Sequence, residues 1–366
     1  MKTYKLRDLV KINIGKTYKH LKNGNIPVYG SGGIISYVDQ YIFSKESILL
    51  PNVYSPSNII YINQPFWTID TMFWTEVKSD IVYPKYLYFY LKLLNFSHSL
   101  TGSILPRVTR EKYYDITVKI PDLNVQKNIL DILEPIDSKI ELNNKINDNL
   151  LKQCNLIYNS LFANGKIKQW EEGKKIEKVK LKFFCDKIVT GKTPPTSNPD
   201  FFDEKIPFIT IDDLRQSLFI TETNRKLSDK GANFQLNKFI PPNSLCVSCI
   251  ATIGELSFTT EISQTNQQIN SLIFSNDEYR EYVYFSLKNI FKNISVKSGN
   301  IFNNLNKEEF SSIEILKPNA KDLTKFNTIA KSLFAKIKIN TYENKILHRL
   351  INYLLPLLMN NQITIR

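Results

Sequence analysis

The chain has 366 residues, 42% apolar and 12% aromatic, which excludes a disordered chain and allows two to four domains at ~100–200 residues each. Its net charge of +13, from 48 basic and 35 acidic residues, favours an anionic partner such as nucleic acid and says nothing about the fold. No apolar run reaches the ~18 residues of a membrane span, no N-terminal stretch resembles a signal peptide, and the four cysteines do not form a disulfide framework in a chain this long, so the expectation is a cytoplasmic protein without a membrane partner.

The positive excess is diffuse: +7 over residues 1–121, −2 over 122–165, +3 over 166–321 and +5 over 322–366. Such a spread suits a protein lying along a duplex better than one with a basic arm.

In chain order, residues 1–121 read as a mixed, strand-rich domain. Ser47–Leu50 and Ile59–Ile62 have strand composition, Gly30-Ser31-Gly32-Gly33 marks a turn, and Pro84–Leu94 predicts a short helix. Residues 122–165 change character. No glycine occurs from Asp122 to Phe162, and Leu133, Ile136, Ile140, Asn143, Asn147, Leu150, Cys154, Ile157 and Leu161 form a seam in alternating steps of three and four. That is coiled-coil spacing.

Residues 166–318 return to strand-rich patterning, with strands over Leu245–Ile250 and Ser271–Phe274, a turn at Pro194-Pro195 and a helix over Asp277–Phe291. Residues 319–366 are helical again. Each long helix of about 40 residues spans roughly 60 Å at ~1.5 Å per residue. Pro135 and Pro356 are expected to kink their helices or to sit near an end.

The chain is written twice. At a constant offset of 197, Ile104 meets Ile301, Tyr113 meets Phe310, Pro121 meets Pro318, Asn143 meets Asn340, Asn147 meets Asn344 and Leu161 meets Leu358. The second seam is therefore Ala330, Leu333, Ile337, Asn340, Asn344, Leu347, Ile351, Leu354 and Leu358. These are either two amphipathic helices, each packed on its own domain, or one mutual coiled coil. Mid-seam asparagines favour the second, because a polar pair in an apolar seam fixes register at a cost in stability. Parallel and antiparallel pairing both remain open. The N-terminal parts of the halves match loosely, at Leu6 with Gly15-Lys16-Thr17 and Leu181 with Gly191-Lys192-Thr193, and diverge strongly beyond.

Several runs resemble the target-recognition domains of type I restriction–modification specificity subunits. In the first half it is Tyr29-Gly-Ser-Gly-Gly-Ile-Ile-Ser-Tyr37. In the second they are Gly191-Lys-Thr-Pro-Pro-Thr-Ser-Asn-Pro199, Ile206-Pro-Phe-Ile-Thr210, Ala251-Thr-Ile-Gly254 and Thr265-Asn-Gln-Gln268. The first domain departs from the pattern after Leu50. The resemblance implies an α+β fold: two strand-rich target-recognition domains and two long helices packed as a coiled coil, related by a pseudo-two-fold internal repeat. It also implies that each domain reads one half of an asymmetric, split site on double-stranded DNA. The paired helices would set half-site spacing and dock two methyltransferase subunits, and a restriction–translocase subunit would complete the complex. No cofactor is implied.

Base-edge contacts call for Arg, Lys, Asn or Gln, and phosphate contacts for Lys, Arg, Ser, Thr, Tyr or backbone N–H. The candidate DNA-binding residues are Tyr29, Ser31, Gly32, Asn52, Tyr54, Arg107 and Arg110 in the first domain. In the second they are Lys192, Thr193, Thr196, Thr210, Gln267 and Asn300. For each, the plain alternative is a solvated polar loop residue or a structural turn, and the glycines of the 30–33 turn supply backbone freedom rather than contact. The helix-pairing set is Ile136, Ile140, Asn143, Asn147, Leu150, Ile157, Leu333, Ile337, Asn340, Asn344, Leu347 and Leu354.

Catalytic readings fail one by one. Cys246-Val-Ser-Cys249 could be half a zinc site or a redox pair, but no second pair lies near it, and residues three apart on a strand face opposite sides. The acidic run Asp200, Asp203, Glu204 with Lys205 sits in a single proline-flanked loop, whereas nuclease carboxylates come from separate strands. Gly15-Lys16-Thr17 and Gly191-Lys192-Thr193 lack the earlier glycine of a P-loop, having Val10 and Asp186 in its place. His20, His98 and His348 offer no triad partner. The expectation is a non-enzymatic recognition subunit. The rivals are a recognition subunit of a related modification system, a DNA-modifying enzyme with degenerate motifs, and a coiled-coil scaffold without a DNA role.

Overall fold

The computed structural model describes residues 1–52, 59–94, 108–163, 177–297, 304–360 and 362. The fold is α+β and forms two compact units, Met1–Ser138 with Arg349–Arg366, and Lys139–His348.

In the first unit a four-stranded antiparallel sheet runs Val10–Ile14, Met72–Val77, Ser47–Pro51, Ile60–Ile62 in spatial order. A second sheet pairs Asn23–Gly30 with Gly33–Val38 antiparallel and with Trp67–Thr68 parallel. Lys2–Lys5 pairs with Thr117–Ile120 and closes the domain beside the entry to the first long helix. The Pro84–Leu93 helix buries Tyr86, Leu87, Phe89 and Leu91 in the core. That core also takes Ile129, Leu130 and Leu133 from the first long helix and Leu355, Leu358 and Met359 from the second. Buried Gln126 ties the helix entry down: its Oε1 accepts from Tyr83 N–H at 2.9 Å, and its Nε2 donates to Ile81 O and Pro121 O at 3.0 and 2.9 Å.

The second unit repeats the plan. Its sheet runs Lys187–Thr190, Ile269–Ile273, Leu245–Ser248, Leu256–Thr259, Phe219–Ile220, the last pair parallel. Phe202–Ile209 pairs antiparallel with Arg225–Leu227 and parallel with Gln264–Thr265, and Lys178–Lys180 pairs with Glu314–Leu316.

The divergence seen between the N-terminal sequences does not extend to the shared strand ladders. The bridge Leu49↔Trp74 reappears as Cys246↔Ser271, and Leu50↔Phe73 as Val247↔Asn270, both strands at the offset of 197. Upstream the offset shrinks to 189 at Ser36/Arg225, 180 at Val28/Phe208 and 176 at Ile14/Thr190. The halves therefore differ by insertions between the shared strands; the one between Phe208 and Arg225 holds the Ile211–Leu214 helix and the Phe219–Ile220 strand, which adds a fifth strand to the second sheet.

The long helices run Leu123–Tyr158 and Ala320–Met359. Pro356 lies in the last turn of its helix, whereas Pro135 lies inside the first helix, which continues past it. Within the second unit the helices pair antiparallel. Asn143 Nδ2 donates to Asn344 Oδ1 at 2.9 Å, and Asn340 Nδ2 donates to Asn147 Oδ1 at 2.9 Å. The offset of 197 converts one bond into the other, so they are mates about a pseudo-two-fold. Asn344 Nδ2 also donates to Asn144 Oδ1 at 2.8 Å, and Asn143 Nδ2 to Glu343 Oε2 at 2.8 Å. Flanking apolar positions join the second core, which buries Cys154, Tyr158, Phe162, Ala330, Phe334 and Ile337.

Candidate nucleic-acid interface

In each unit the turn after the short parallel strand meets the Gly-Lys-Thr turn. A Cβ on Gly15 would lie 2.1 Å from Ile69 O, and one on Gly191 would lie 2.1 Å from Asn266 O. Glycine is there because two backbones touch. Lys16 N–H donates to Thr68 O at 2.8 Å and Lys192 N–H to Thr265 O at 2.9 Å. Ile69 N–H donates to Tyr29 O and Asn266 N–H to Ile209 O, both at 3.0 Å. Asn52 N–H donates to Thr71 O at 3.0 Å and Cys249 N–H to Gln268 O at 2.8 Å. The two domains thus carry one rigid frame with different side chains mounted on it.

On the first frame Tyr29 is buried; burial, and then the neighbouring Tyr37, push its phenol pKa above the ordinary range. Ser31 and Gly32 form the tip of the Asn23–Gly30/Gly33–Val38 hairpin. Of the three glycines there, Gly33 requires the left-handed region (φ 108°), while a Cβ on Gly32 would meet nothing within 4 Å. Exposed Ile34, Ile35 and Tyr37 follow the tip. The Asn52 carboxamide donates to Asp70 O at 2.8 Å, so it holds the turn. Arg110 opens the Arg110–Tyr114 helix behind its cap, Thr109. Tyr54, Arg107 and Asn300 lie outside the described residues.

On the second frame Lys192, Thr193 and Gln267 come together. Thr193 Oγ1 donates to Gln267 Oε1 at 2.5 Å, and Lys192 Nζ sits 5.7 Å from the centre of the Phe234 ring. Lys192 O accepts from Gln235 Nε2 at 2.8 Å, which also donates to Gln264 Oε1 at 2.7 Å. Thr196 is exposed in the Pro195–Asn198 turn. Thr210 caps the Ile211–Leu214 helix, its hydroxyl donating to Asp213 Oδ2 at 2.7 Å.

Asp213, Cys246 and Cys249 are committed to the fold. Asp213 is buried and accepts from Thr210 N, Thr210 Oγ1 and Asn224 N at 2.7, 2.7 and 2.9 Å. Cys246 and Cys249 lie in different cores, and burial pushes their thiols up to about 12 and about 11. Among the described residues no group of three or more His, Cys, Asp or Glu could hold a metal ion, and no helix is long and apolar enough to cross a membrane.

Residues 1–152 and 173–352 match the type I restriction modification DNA specificity domain family. The chain belongs to that family. It is 31% identical to the type I restriction enzyme HindI specificity subunit of Haemophilus influenzae, over 79% of each chain. Its fold is similar to that of the crystal structure of a type I restriction–modification S subunit from M. genitalium, with a TM-score of 0.52 at 12% identity, covering 98% of this chain and 95% of that one.

Sequence reasoning missed Asp70, the counterpart of Gln267 on the first frame. Carrying the offset of 197 upstream of residue 102 would have found it, because Thr68 and Thr265 are identical there. It also missed Tyr86-Leu-Tyr-Phe89 and Lys92 against Tyr282-Val-Tyr-Phe285 and Lys288, which repeat at 196.

Proposed function

We propose that this chain is the DNA-reading subunit of a type I restriction–modification complex and carries no catalytic site of its own. Residues 1–121 and 166–318 would be its two target-recognition domains, each reading one half of an asymmetric, split site. Residues 122–165 and 319–366 would be the spacer helices, which set half-site distance and dock two methyltransferase subunits. A restriction–translocase subunit completes the assembly, and the compartment is the cytoplasm.

The observation that carries this reading is one frame built twice with unlike polar side chains, joined to helices paired about a pseudo-two-fold. Two different readers on a symmetric scaffold give a non-palindromic target, with spacing set by geometry. The net charge of +13 supports the phosphate contacts such a complex needs.

Replacing residues 1–121 with the corresponding domain of a relative should change one half-site and leave the other half and the spacing alone. Methylome sequencing reads this directly; a change in both halves would overturn the modular reading. Modification or cleavage of DNA by the purified chain without partners would instead establish an enzyme.

A further inference from the structure

We infer that Asp70 and Gln267 are equivalent base-reading residues, Asp70 selecting a cytosine in one half-site and Gln267 an adenine in the other. This rests on the DNA-reading function proposed above.

The equivalence is geometric. Both residues follow the residue whose carbonyl the invading glycine contacts, Ile69 or Asn266. Both turns close through the same bond, Met72 N–H to Ile69 O at 3.0 Å and Ile269 N–H to Asn266 O at 3.3 Å. Asn52 and Tyr29 pin the first turn from one side and the Gly15-Lys16 backbone pins it from the other. A side chain mounted there is presented at a defined place, as base readout requires.

Both side chains are exposed. Among the described residues the Asp70 carboxylate makes no hydrogen bond or ion pair, and the contact at this residue is to its backbone carbonyl. Among the described residues nothing uses the charge.

A free carboxylate on a DNA-facing turn is repelled by phosphates, so it weakens sequence-independent binding. It is stabilised opposite an exocyclic amino group. A carboxylate only accepts hydrogen bonds, and among base edges in the major groove it pairs with cytosine N4, while the N7, O6 and O4 acceptors of the other bases repel it. Gln267 has both functions. Thr193 donates to its Oε1, and among the described residues its Nε2 donors and a second Oε1 lone pair take no partner, the pattern that matches adenine N7 and N6.

The test uses the full chain in its methyltransferase complex, with methylation of a genomic library read by long-read sequencing. Wild type should modify one split motif containing a cytosine whose identity depends on residue 70. Asp70→Asn, nearly isosteric, should lower discrimination at that one base pair by about tenfold. It should also tighten binding to non-cognate duplex, because a negative charge is gone. Asp70→Gln should shift the preferred base there to adenine, and Gln267→Glu should shift one adenine of the other half-site towards cytosine. Wild-type stringency at every position in the Asp70 variants would overturn the inference. So would a uniform loss across both half-sites with unchanged melting. If wild type itself modified no split motif, the DNA-reading function would fail and this inference with it.

Discussion

The asparagine network between the helices makes a prediction in which one substitution costs stability and four together do not. Asn143, Asn340 and Asn344 are at least nine-tenths buried, and among the described residues the Asn143 Oδ1 atom has no hydrogen-bond partner. The seam therefore carries an uncompensated polar atom even in the intact protein. Asn143→Ala removes two hydrogen bonds, to Asn344 Oδ1 and to Glu343 Oε2, and exchanges one bare acceptor, its own Oδ1, for another, Asn344 Oδ1; two lost bonds cost about 1–3 kcal/mol. Converting Asn143, Asn147, Asn340 and Asn344 together to Leu removes every carboxamide from the seam. Each leucine is worth about 1.5–3 kcal/mol when fully buried; half that value at four sites is about 3–6 kcal/mol, against about 2–6 kcal/mol for the four hydrogen bonds lost, so the net change runs from about neutral to a gain of a few kcal/mol.

The exchange sacrifices register. With apolar residues throughout, a slip of one heptad keeps the seam filled, whereas in wild type it sets carboxamides against Ile and Leu. One heptad is ~10.5 Å of helix, or about three base pairs of duplex. Thermal melting should place Asn143→Ala a few degrees below wild type and the quadruple variant at or above it. Methylome sequencing should show one spacer length for wild type and a mixture for the quadruple variant. A quadruple variant that melts at or above wild type yet keeps a single spacer would refute the idea that these carboxamides set the register. An Asn143→Ala protein as stable as wild type would refute the energetics.

Other consequences follow from single sites. Gly191→Ala drives a methyl into Asn266 O and should lower the melting temperature sharply, whereas Gly32→Ala, with nothing within 4 Å, should leave stability near wild type. Tyr86 and Tyr282 occupy repeat-equivalent places with opposite needs. Among the described residues the buried Tyr86 hydroxyl has no partner, while the Tyr282 hydroxyl donates to Leu316 O at 2.6 Å. Tyr86→Phe should therefore be neutral or stabilising and Tyr282→Phe destabilising by about 1 kcal/mol in chemical denaturation. Burial holds the Cys246 and Cys249 thiols protonated, with values of about 12 and about 11. Alkylation at pH 8.5 should spare them in the folded chain and reach them in denaturant; because their folded values are raised, the stability tied to the protonated thiols falls as pH climbs past the ordinary thiol range. Rapid modification of either cysteine in the native protein would contradict that.

Much of the architecture was legible in the linear chain because it is periodic or repeated. The alternation of threes and fours from Leu133 to Leu161 needs only helix geometry to become a seam. The constant offset to Ala330–Leu358 needs only comparison of the chain with itself. Short strands at Ser47 and Leu245 announced themselves by composition. Partner direction did not: an asparagine at a given seam position is compatible with either orientation, and only the pairing of Asn143 with Asn344 and of Asn147 with Asn340 makes it antiparallel.

The frame around the Gly-Lys-Thr turns lay further out of reach, since its parts are distant in sequence and its bonds run between backbone atoms that any residue supplies. Gly15 against Ile69, or Asn52 against Thr71, leaves no mark beyond the glycine itself. Composition and period determined that this chain is two strand-rich domains and two matching helices. Tertiary structure alone decided that the unlike domains share one frame of strand ladders and turns, that Asn52 and Thr210 are tied into the backbone, and that Asp70 stands where Gln267 stands. Side-chain identity is local information, whereas equivalence between sites is a property of how the chain closes on itself.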